Sequence, residues 1–517
     1  TMKHVSTYSN AAARGHRSRL RCANHSQLMR TSLIKMLDMS LASAPAPCWL
    51  AIRLPHLALD LHTRGHSGRE TAVAVSRTVQ RRERITDCNV AALAAGINPG
   101  MLVTAARSIL EELQVIERDP AAEQQALERL AAWCYQYSSQ VCLLPERAGL
   151  LLEAGASERL FGTAEQLGGR LVRALGQIGY HAVCGSAATP EAAWLAAGEG
   201  LHLAAKGHIR QQLGTLALDR LYLDTARIRS MEQMGFRQLR DLLRLPRKSL
   251  TRRFGPDLPD YLDHLLGIRP DPRRFFEPPE HYSSRLDLPA DIHRSEALLV
   301  PLKRLLGELC GVLRGGDTAV QSVQITLGHE DHEDSRLELG LQSPAQDPER
   351  LLTVLRERLE RLRLPAAVRE ILLEAPALLP FKPGQTTLFG DTPAEQEQGM
   401  EQLAERLQAR LGKSSVSGLA GVEDHRPEYS WRRRDLDEPA DCTALAHRPT
   451  WLLPKPLRCR IEDYQVLAGP ERIESGWWDG RDCRRVYFIV RDCHGSLLWA
   501  FRAYKPRPGW YLHGIFA

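Results

Sequence analysis

No run of apolar residues in this 517-residue chain approaches the roughly 18 needed to cross a bilayer, and no stretch reads as a signal peptide. A membrane-spanning class is therefore set aside. Paired cysteines are equally missing: the 11 cysteines are odd in number, scattered, and never fall as CxxC. That spacing argues against a zinc site or a disulfide framework and points to reduced thiols in a cytoplasm. Surplus charge is scarce too. Before Cys48, Lys3, Arg14, Arg17, Arg19, Arg21, Arg30 and Lys35 stand against Asp38 alone, which accounts for the whole net charge of +6. Everything after Cys48 is formally neutral, so any basic surface has to be argued locally.

What is present suggests roughly three to five compact units. Residues 1–47 are polar and Ser/Arg/His-rich and read as a disordered basic tail. Compact patterning begins at Trp49, where WLAIRL reads as a buried strand, with TAVAVS (71–76) as another. A helix over 123–138, strands at 141–144 and 150–153, a helix over 164–178, a strand at 181–185 and a helix over 190–197 continue an alternation typical of α/β or α+β cores. Residues 216–267 read as helical and basic, with short loops. The pattern then turns to strand 284–291, helix 297–314, strands 320–327 and 336–341, helix 348–362 and strand 368–375, a self-sufficient β-α-β-β-α-β module. A Pro/Gly-punctuated loop and a polar connection lead to a Trp-rich end. There, 486–490 and 497–501 flank a turn as a hairpin, and Trp477, Trp478, Trp499 and Trp510 mostly belong in its core.

Several short motifs carry chemistry. The segment Met231 to Phe236, running on to Leu243, resembles a helix-hairpin-helix, in which a glycine such as Gly235 lets backbone N–H groups approach a DNA phosphate. Arg247, Lys248, Arg252 and Arg253 follow as counter-charge; the bland alternative is a helical hairpin with a solvated basic face. Gln385-Thr386-Thr387-Leu388-Phe389 lies between Pro383-Gly384 and Gly390-Asp391, so it should be exposed and extended. It is similar to the bacterial peptide that docks on the sliding clamp, where a Gln amide is hydrogen-bonded and a Leu-Phe pair fills an apolar pocket. The run from His329 to Asp334 (HEDHED) tempts a metal assignment, but six polar residues between strands make an ordinary hairpin tip. Gly412-Lys413-Ser414 imitates a phosphate loop, yet Leu407 stands where a glycine is required. No metal and no cofactor is expected.

In this order the pieces from Trp49 to Asp391 resemble a Y-family lesion-bypass DNA polymerase. More closely, the opening WLAIRLPHLALDL, the PEYSWR segment (427–432) and the ending GPERIESGWWDG…GWYLHGIFA are similar to ImuB proteins, the non-catalytic branch found in bacterial damage-induced mutagenesis cassettes. The resemblance implies a multidomain α+β fold: palm at 48–60 and 116–215, fingers at 61–115, helix-hairpin-helix thumb at 216–279, little finger at 280–379. A clamp-binding loop (380–392), a partner-binding connection (393–449) and a small β-rich C-terminal module (450–517) would follow. Active relatives hold two Mg²⁺ ions on carboxylates, and those places align with Arg53, Ala148 and Gly149 here. The tyrosine and arginine that hold the triphosphate align with Val90 and Leu93, and the palm lysine with Trp194.

The resemblance thus implies an inactive homologue in the DNA damage (SOS) response, at the replication fork in the nucleoid. Thumb and little finger would grip primer-template DNA, and the QTTLF peptide would hold the sliding clamp (β). Residues after Asp391 would recruit an error-prone replicative-type polymerase α subunit and a RecA-like accessory protein of the ImuA type. Two rivals remain open. One is an active error-prone polymerase using displaced carboxylates such as Asp60, Asp87, Glu146 and Glu153. The other is a clamp-bound regulator that never touches DNA.

Overall fold

A computed structural model of the chain describes residues 47–65, 71–203, 206–381, 393–436, 438, 448–505 and 508–516. The basic segment before residue 47 and the peptide Gln385 to Phe389 lie outside the described residues. The chain divides into two compact units, Thr1–Gln385 and Thr386–Ala517.

The first unit is built outward from β1 (Trp49–Arg53), whose Leu50, Ala51 and Ile52 are all buried. A strand apolar on both faces needs cover on both. Leu50 meets the helix Ala164–Gln177 at Gly168, and Ala51 joins the cluster formed by the helix Pro190–Gly198. Both helices start where their sequences place caps: Thr163 and Gln166 form a capping box, and the Thr189 side chain accepts from Ala192 N–H. β2 (Val73–Val79) and β3 (Arg82–Cys88) form a hairpin turned by Gln80 and Arg81, and β4 (Gln114–Glu117) adds parallel to β2. β5 (Val141–Leu144), β6 (Gly149–Glu153) and β7 (Val183–Ala187) join β1 in an antiparallel sheet of order β5-β6-β1-β7.

Four short helices, Thr225–Gln233, Leu239–Leu243, Arg247–Phe254 and Asp257–Leu266, bring Met231, Leu242, Leu250 and Leu262 into the core of the Pro190–Gly198 helix. The β-α-β-β-α-β module then follows as expected. β8 (Tyr282–Ile292), β9 (Thr318–His329), β10 (Ser335–Ala345) and β11 (Val368–Ala375) form an antiparallel sheet of order β10-β9-β11-β8, and the short β12 (Leu379–Pro380) pairs with the start of β9. Helices Leu299–Gly315 and Pro348–Leu359 pack against this sheet, and the first also meets the helix Pro120–Cys134, with Trp133 over Gly311.

That second contact encloses an ion cluster. Glu308 is fully buried and accepts from Arg64 at 2.5 Å and from Arg129 at 3.0 Å. Burial alone would raise its carboxyl; the two guanidiniums overcome this and hold it below the ordinary glutamate range.

In the second unit, helix Pro393–Leu411 and the hairpin β13 (Gly418–Gly421) and β14 (Trp431–Arg434) precede a five-stranded antiparallel sheet. Its strands are β15 (Trp451–Arg458), β16 (Gln465–Ser475), β17 (Cys483–Arg491), β18 (Leu497–Lys505) and β19 (Gly509–Ile515), in the order β15-β19-β18-β17-β16. Tyr487 stacks on Trp499 with ring centres 3.9 Å apart and bonds His513 at 2.8 Å. Burial pushes the His513 imidazole down to about 4, so it is neutral at pH 7. Of the four tryptophans expected mostly in this core, only Trp499 is fully enclosed. Trp510 is half-buried, and Trp477 and Trp478 stand out in the β16–β17 loop, 78% and 61% exposed.

Replacing Glu308 by Ala leaves Arg64 and Arg129 as uncompensated buried charges, so urea denaturation should register a loss of about 3–5 kcal/mol. Its folded pKa lies below the unfolded value. The stability it adds is therefore present above the ordinary 4.5 and lost as pH falls through the folded value.

Candidate functional site

The antiparallel register sets Arg53 of β1 opposite Gly149 of β6. β6 is entered from β5 through the turn Pro145–Arg147, which ends at Ala148 with φ 48°. Arg53, Ala148 and Gly149 therefore do share one corner of the sheet, the corner where the resemblance puts metal-binding carboxylates. An indole fills it. Trp194, buried on the Pro190–Gly198 helix, lies across Gly149, and a Cβ at 149 would come within 2.6 Å of its ring as well as pressing on the Ile52 carbonyl. Glycine is required here by that close approach.

Cations flank the indole. The Arg53 guanidinium carbon lies 5.0 Å from the Trp194 ring centre and that of Arg147 5.8 Å, while Arg147 also sits 3.9 Å over Tyr222. Glu191 accepts from Arg147 at 2.9 Å and from Arg273 at 2.7 Å. Burial lowers the Arg53 pKa, and the nearby charges of Arg220 and Arg147 push the same way against Glu199. A divalent cation entering this corner would meet two guanidiniums and an aromatic ring, and the three aligned positions offer it no side-chain oxygen. These residues do not fit a Mg²⁺ pair. Sequence reasoning noted Trp194 but missed Arg147 and Tyr222, which only the turn before β6 and the helical block bring beside it.

The displaced carboxylates have other employment. Asp60 is buried and accepts from the His181 backbone at 2.8 Å and its Nδ1 at 2.6 Å; burial pushes its carboxyl up, and those bonds oppose the rise. Asp87 pairs with His56 at 2.9 Å. Glu153 accepts from the N–H groups of Cys48, Gly155 and Ala156. It lies opposite Trp49, four residues along β1 from Arg53, or about 13 Å at strand rise. Glu146 remains exposed on the turn. Val90 and Leu93 stand on the helix Val90–Ala94, 73% and 46% exposed, with no polar group to offer a triphosphate. The His329–Asp334 run is the β9–β10 hairpin tip: His329 bonds Ser335 at 2.8 Å, and Glu330 pairs with Arg369. Among the described residues no cluster of three or more His, Cys, Asp or Glu could hold a metal.

The hairpin glycine is more informative. Gly235 has φ 90° and open space around its Cα, as a phosphate-facing glycine would. Yet its N–H donates to the Glu232 carbonyl, that of Phe236 to Met231, and those of Arg237 and Gln238 to the Asp241 carboxylate at 3.1 and 3.0 Å. The amides are already used. Of the four basic residues that follow, Arg247 is held by Asp260 at 2.7 Å and by Asp263. Lys248, Arg252 and Arg253 are exposed and make no ion pair among the described residues.

The β8–β11 sheet bears on the expected grip of the little finger on DNA. Its open face carries Asp287, Glu338, Glu370 and Glu374 against Arg285 and Arg336, and Arg285 is itself bound to Glu370 at 2.6 Å. Burial raises the Glu370 carboxyl; Arg285 opposes that, while Asp287 and Asp334 add to it. On this face carboxylates outnumber guanidiniums, whereas the short helices carry the exposed cations Lys248, Arg252 and Arg253.

Introducing glutamate at Gly149 should not create a metal site; it should destabilise the unit by about 1–3 kcal/mol or more through overpacking against Trp194. Chemical denaturation of Gly149→Glu, with Gly149→Ala alongside, measures this.

Residues 63–198 match the impB/mucB/samB family. Along its length the chain is similar to Protein ImuB of Caulobacter vibrioides, in strain NA1000 / CB15N and in strain ATCC 19089 / CIP 103742 / CB 15. Identity to each is 27% over 457 residues, spanning 81% of this chain and 100% of theirs. Among solved structures it is similar to DinB from Sulfolobus solfataricus, with TM-score 0.36 and 15% identity over 65% of this chain and 100% of that one. The insertion ternary complex of Dbh DNA polymerase gives TM-score 0.37 and 15% identity over 64% and 99%. The chain is thus similar to ImuB over most of its length, with residues 63–198 matching the impB/mucB/samB family.

Proposed function

We propose that the chain is a non-catalytic Y-family-like scaffold of damage-induced translesion synthesis and mutagenesis. It would bind primer-template DNA and the β sliding clamp, and recruit an error-prone replicative-type polymerase with a RecA-like accessory protein. One observation carries the non-catalytic reading: Trp194 packs on Gly149 between Arg53 and Arg147 where a two-metal site requires carboxylates. The rival with displaced carboxylates is weakened because Asp60, Asp87 and Glu153 are each bound elsewhere.

DNA contact in this reading comes from Lys248, Arg252 and Arg253, with Arg247 released only at the cost of its ties to Asp260 and Asp263. Binding would be to phosphates, salt-dependent and indifferent to sequence. In the second unit, Trp477 and Trp478 meet edge to face at 5.5 Å, and Arg426, pinned by Asp424 and Asp479, backs Trp478. An exposed, pre-set tryptophan pair suits a protein partner, since Trp dominates interface hot spots. Clamp attachment through Gln385, Thr386, Thr387, Leu388 and Phe389 adds a second weak tether and raises effective concentration at the fork.

Primer extension with Mg²⁺ or Mn²⁺ should give no incorporation above background. Incorporation that disappears in Asp60→Asn or Glu153→Gln would instead establish the displaced-carboxylate polymerase. Replacing Gln385, Leu388 and Phe389 with Ala removes two apolar anchors worth about 3–6 kcal/mol together. Surface plasmon resonance should then detect no clamp binding, while the melting curve is unchanged. Wild-type clamp affinity in that variant would mean that the motif match is accidental.

A further inference from the structure

The sheet of the second unit has two faces, one enclosing the main aromatic core and the other exposed along part of its width. Tyr487, Trp499 and Phe501 point into the cluster with Ile473 and Tyr511. Strand alternation sends their neighbours the other way. Across four strands the register aligns Arg472 of β16, Val486 of β17, Arg502 of β18 and Trp510 of β19 in one row. The next row holds Phe488 and Leu512, both half-buried, on either side of Ala500, which is fully buried. Phe488 and Trp510 touch at 5.4 Å between ring centres. On the other side of the arginine row, Tyr504 is half exposed, with the Arg502 guanidinium 5.4 Å over its ring, and Arg484 stands beside it on β17.

This is an aromatic floor interleaved with guanidiniums. Two carboxylates attend it: Glu474 pairs with Arg472 at 2.5 Å, and Asp482 lies 3.7 Å from Arg484. Both pairs are exposed, the kind of ion pair that holds weakly and exchanges readily. Arg502 makes no ion pair among the described residues. The geometry points to a binding face for single-stranded nucleic acid: bases stack on Phe488, Trp510 and Tyr504, and Arg472, Arg484 and Arg502 take the phosphates. Stacking needs unpaired bases, because a duplex hides their faces, so single strands are the ligand that uses both halves of the surface. The contrast with the β8–β11 sheet is instructive, since that open face presents four carboxylates and no aromatic ring. The inference does not depend on the clamp peptide or on polymerase inactivity.

The test uses the full chain carrying Lys248→Glu, Arg252→Glu and Arg253→Glu, which removes the other cationic surface. Fluorescence anisotropy with labelled oligothymidylate is read across a salt titration. Adding Arg472→Glu, Arg484→Glu and Arg502→Glu should weaken binding at least tenfold and flatten the log–log salt slope by about 2, near 0.7 per lost phosphate contact. Phe488→Ala with Trp510→Ala should weaken it by about fivefold or more per lost stack while leaving the salt slope in place. A melting curve checks the half-buried aromatics, and the arginine variant, all surface, decides the matter should the aromatic one unfold. Unchanged affinity and slope in the arginine variant would overturn the inference. So would an equal loss for duplex and single strand, or loss of a captured partner polymerase with oligonucleotide binding intact, which would make the face a protein-docking surface.

Discussion

The first unit depends on a single buried carboxylate. Glu308 sits on a helix of the β-α-β-β-α-β module, and both cations it holds belong to the part of the chain built on β1. Removing three charges from water costs several kcal/mol each, and only close pairing recovers it. The module therefore has one docked arrangement in which Arg64 and Arg129 are satisfied, and departing from it exposes an unpaired charge. Hydrophobic contact such as Trp133 on Gly311 adds area without direction. The ion cluster adds direction.

A similar exchange explains the corner between β1 and β6. A pocket for two metal ions is a costly thing to keep: carboxylates must stand close together and repel one another until the cations arrive. Here the repulsion is absent because the carboxylates are absent, and the space is closed by an indole lying on a glycine. Arg53 and Arg147 lie near its ring, and Glu191 balances the outer one. The corner is part of the hydrophobic core, and its polarity is positive, the wrong sign for a metal ion.

Charge is also unevenly spent elsewhere. The helical hairpin uses its amides on the Glu232 and Met231 carbonyls and on Asp241 and leaves Lys248, Arg252 and Arg253 to solvent, so attraction for phosphate there would be long-ranged and unspecific. The open face of the β8–β11 sheet is acid-rich, whereas the open face of the C-terminal sheet mixes arginine with aromatic rings. A chain formally neutral after Cys48 thus presents surfaces of opposite character, which the net charge could not reveal.

Much of this was legible in the sequence, because hydrophobic period and local caps are written residue by residue. β1, the β-α-β-β-α-β order, the capped helices and the β17–β18 hairpin all follow from patterns within their own segments. That Arg53, Ala148 and Gly149 offer no carboxylate is plain in the sequence itself. β16 escaped detection because an edge strand exposed along most of its length carries no apolar alternation, and its Gly469-Pro470 reads as a break. Tertiary structure alone decided which residue meets which. Glu308 finds Arg64 across 244 positions and Arg129 across 179, and Trp194 settles on Gly149 with Arg147 beside it. It also turned Trp499 inward, Trp477 and Trp478 outward, and Trp510 onto the open face. The apolar period of a segment records that a face is buried; the partner that buries it depends on how distant segments pack.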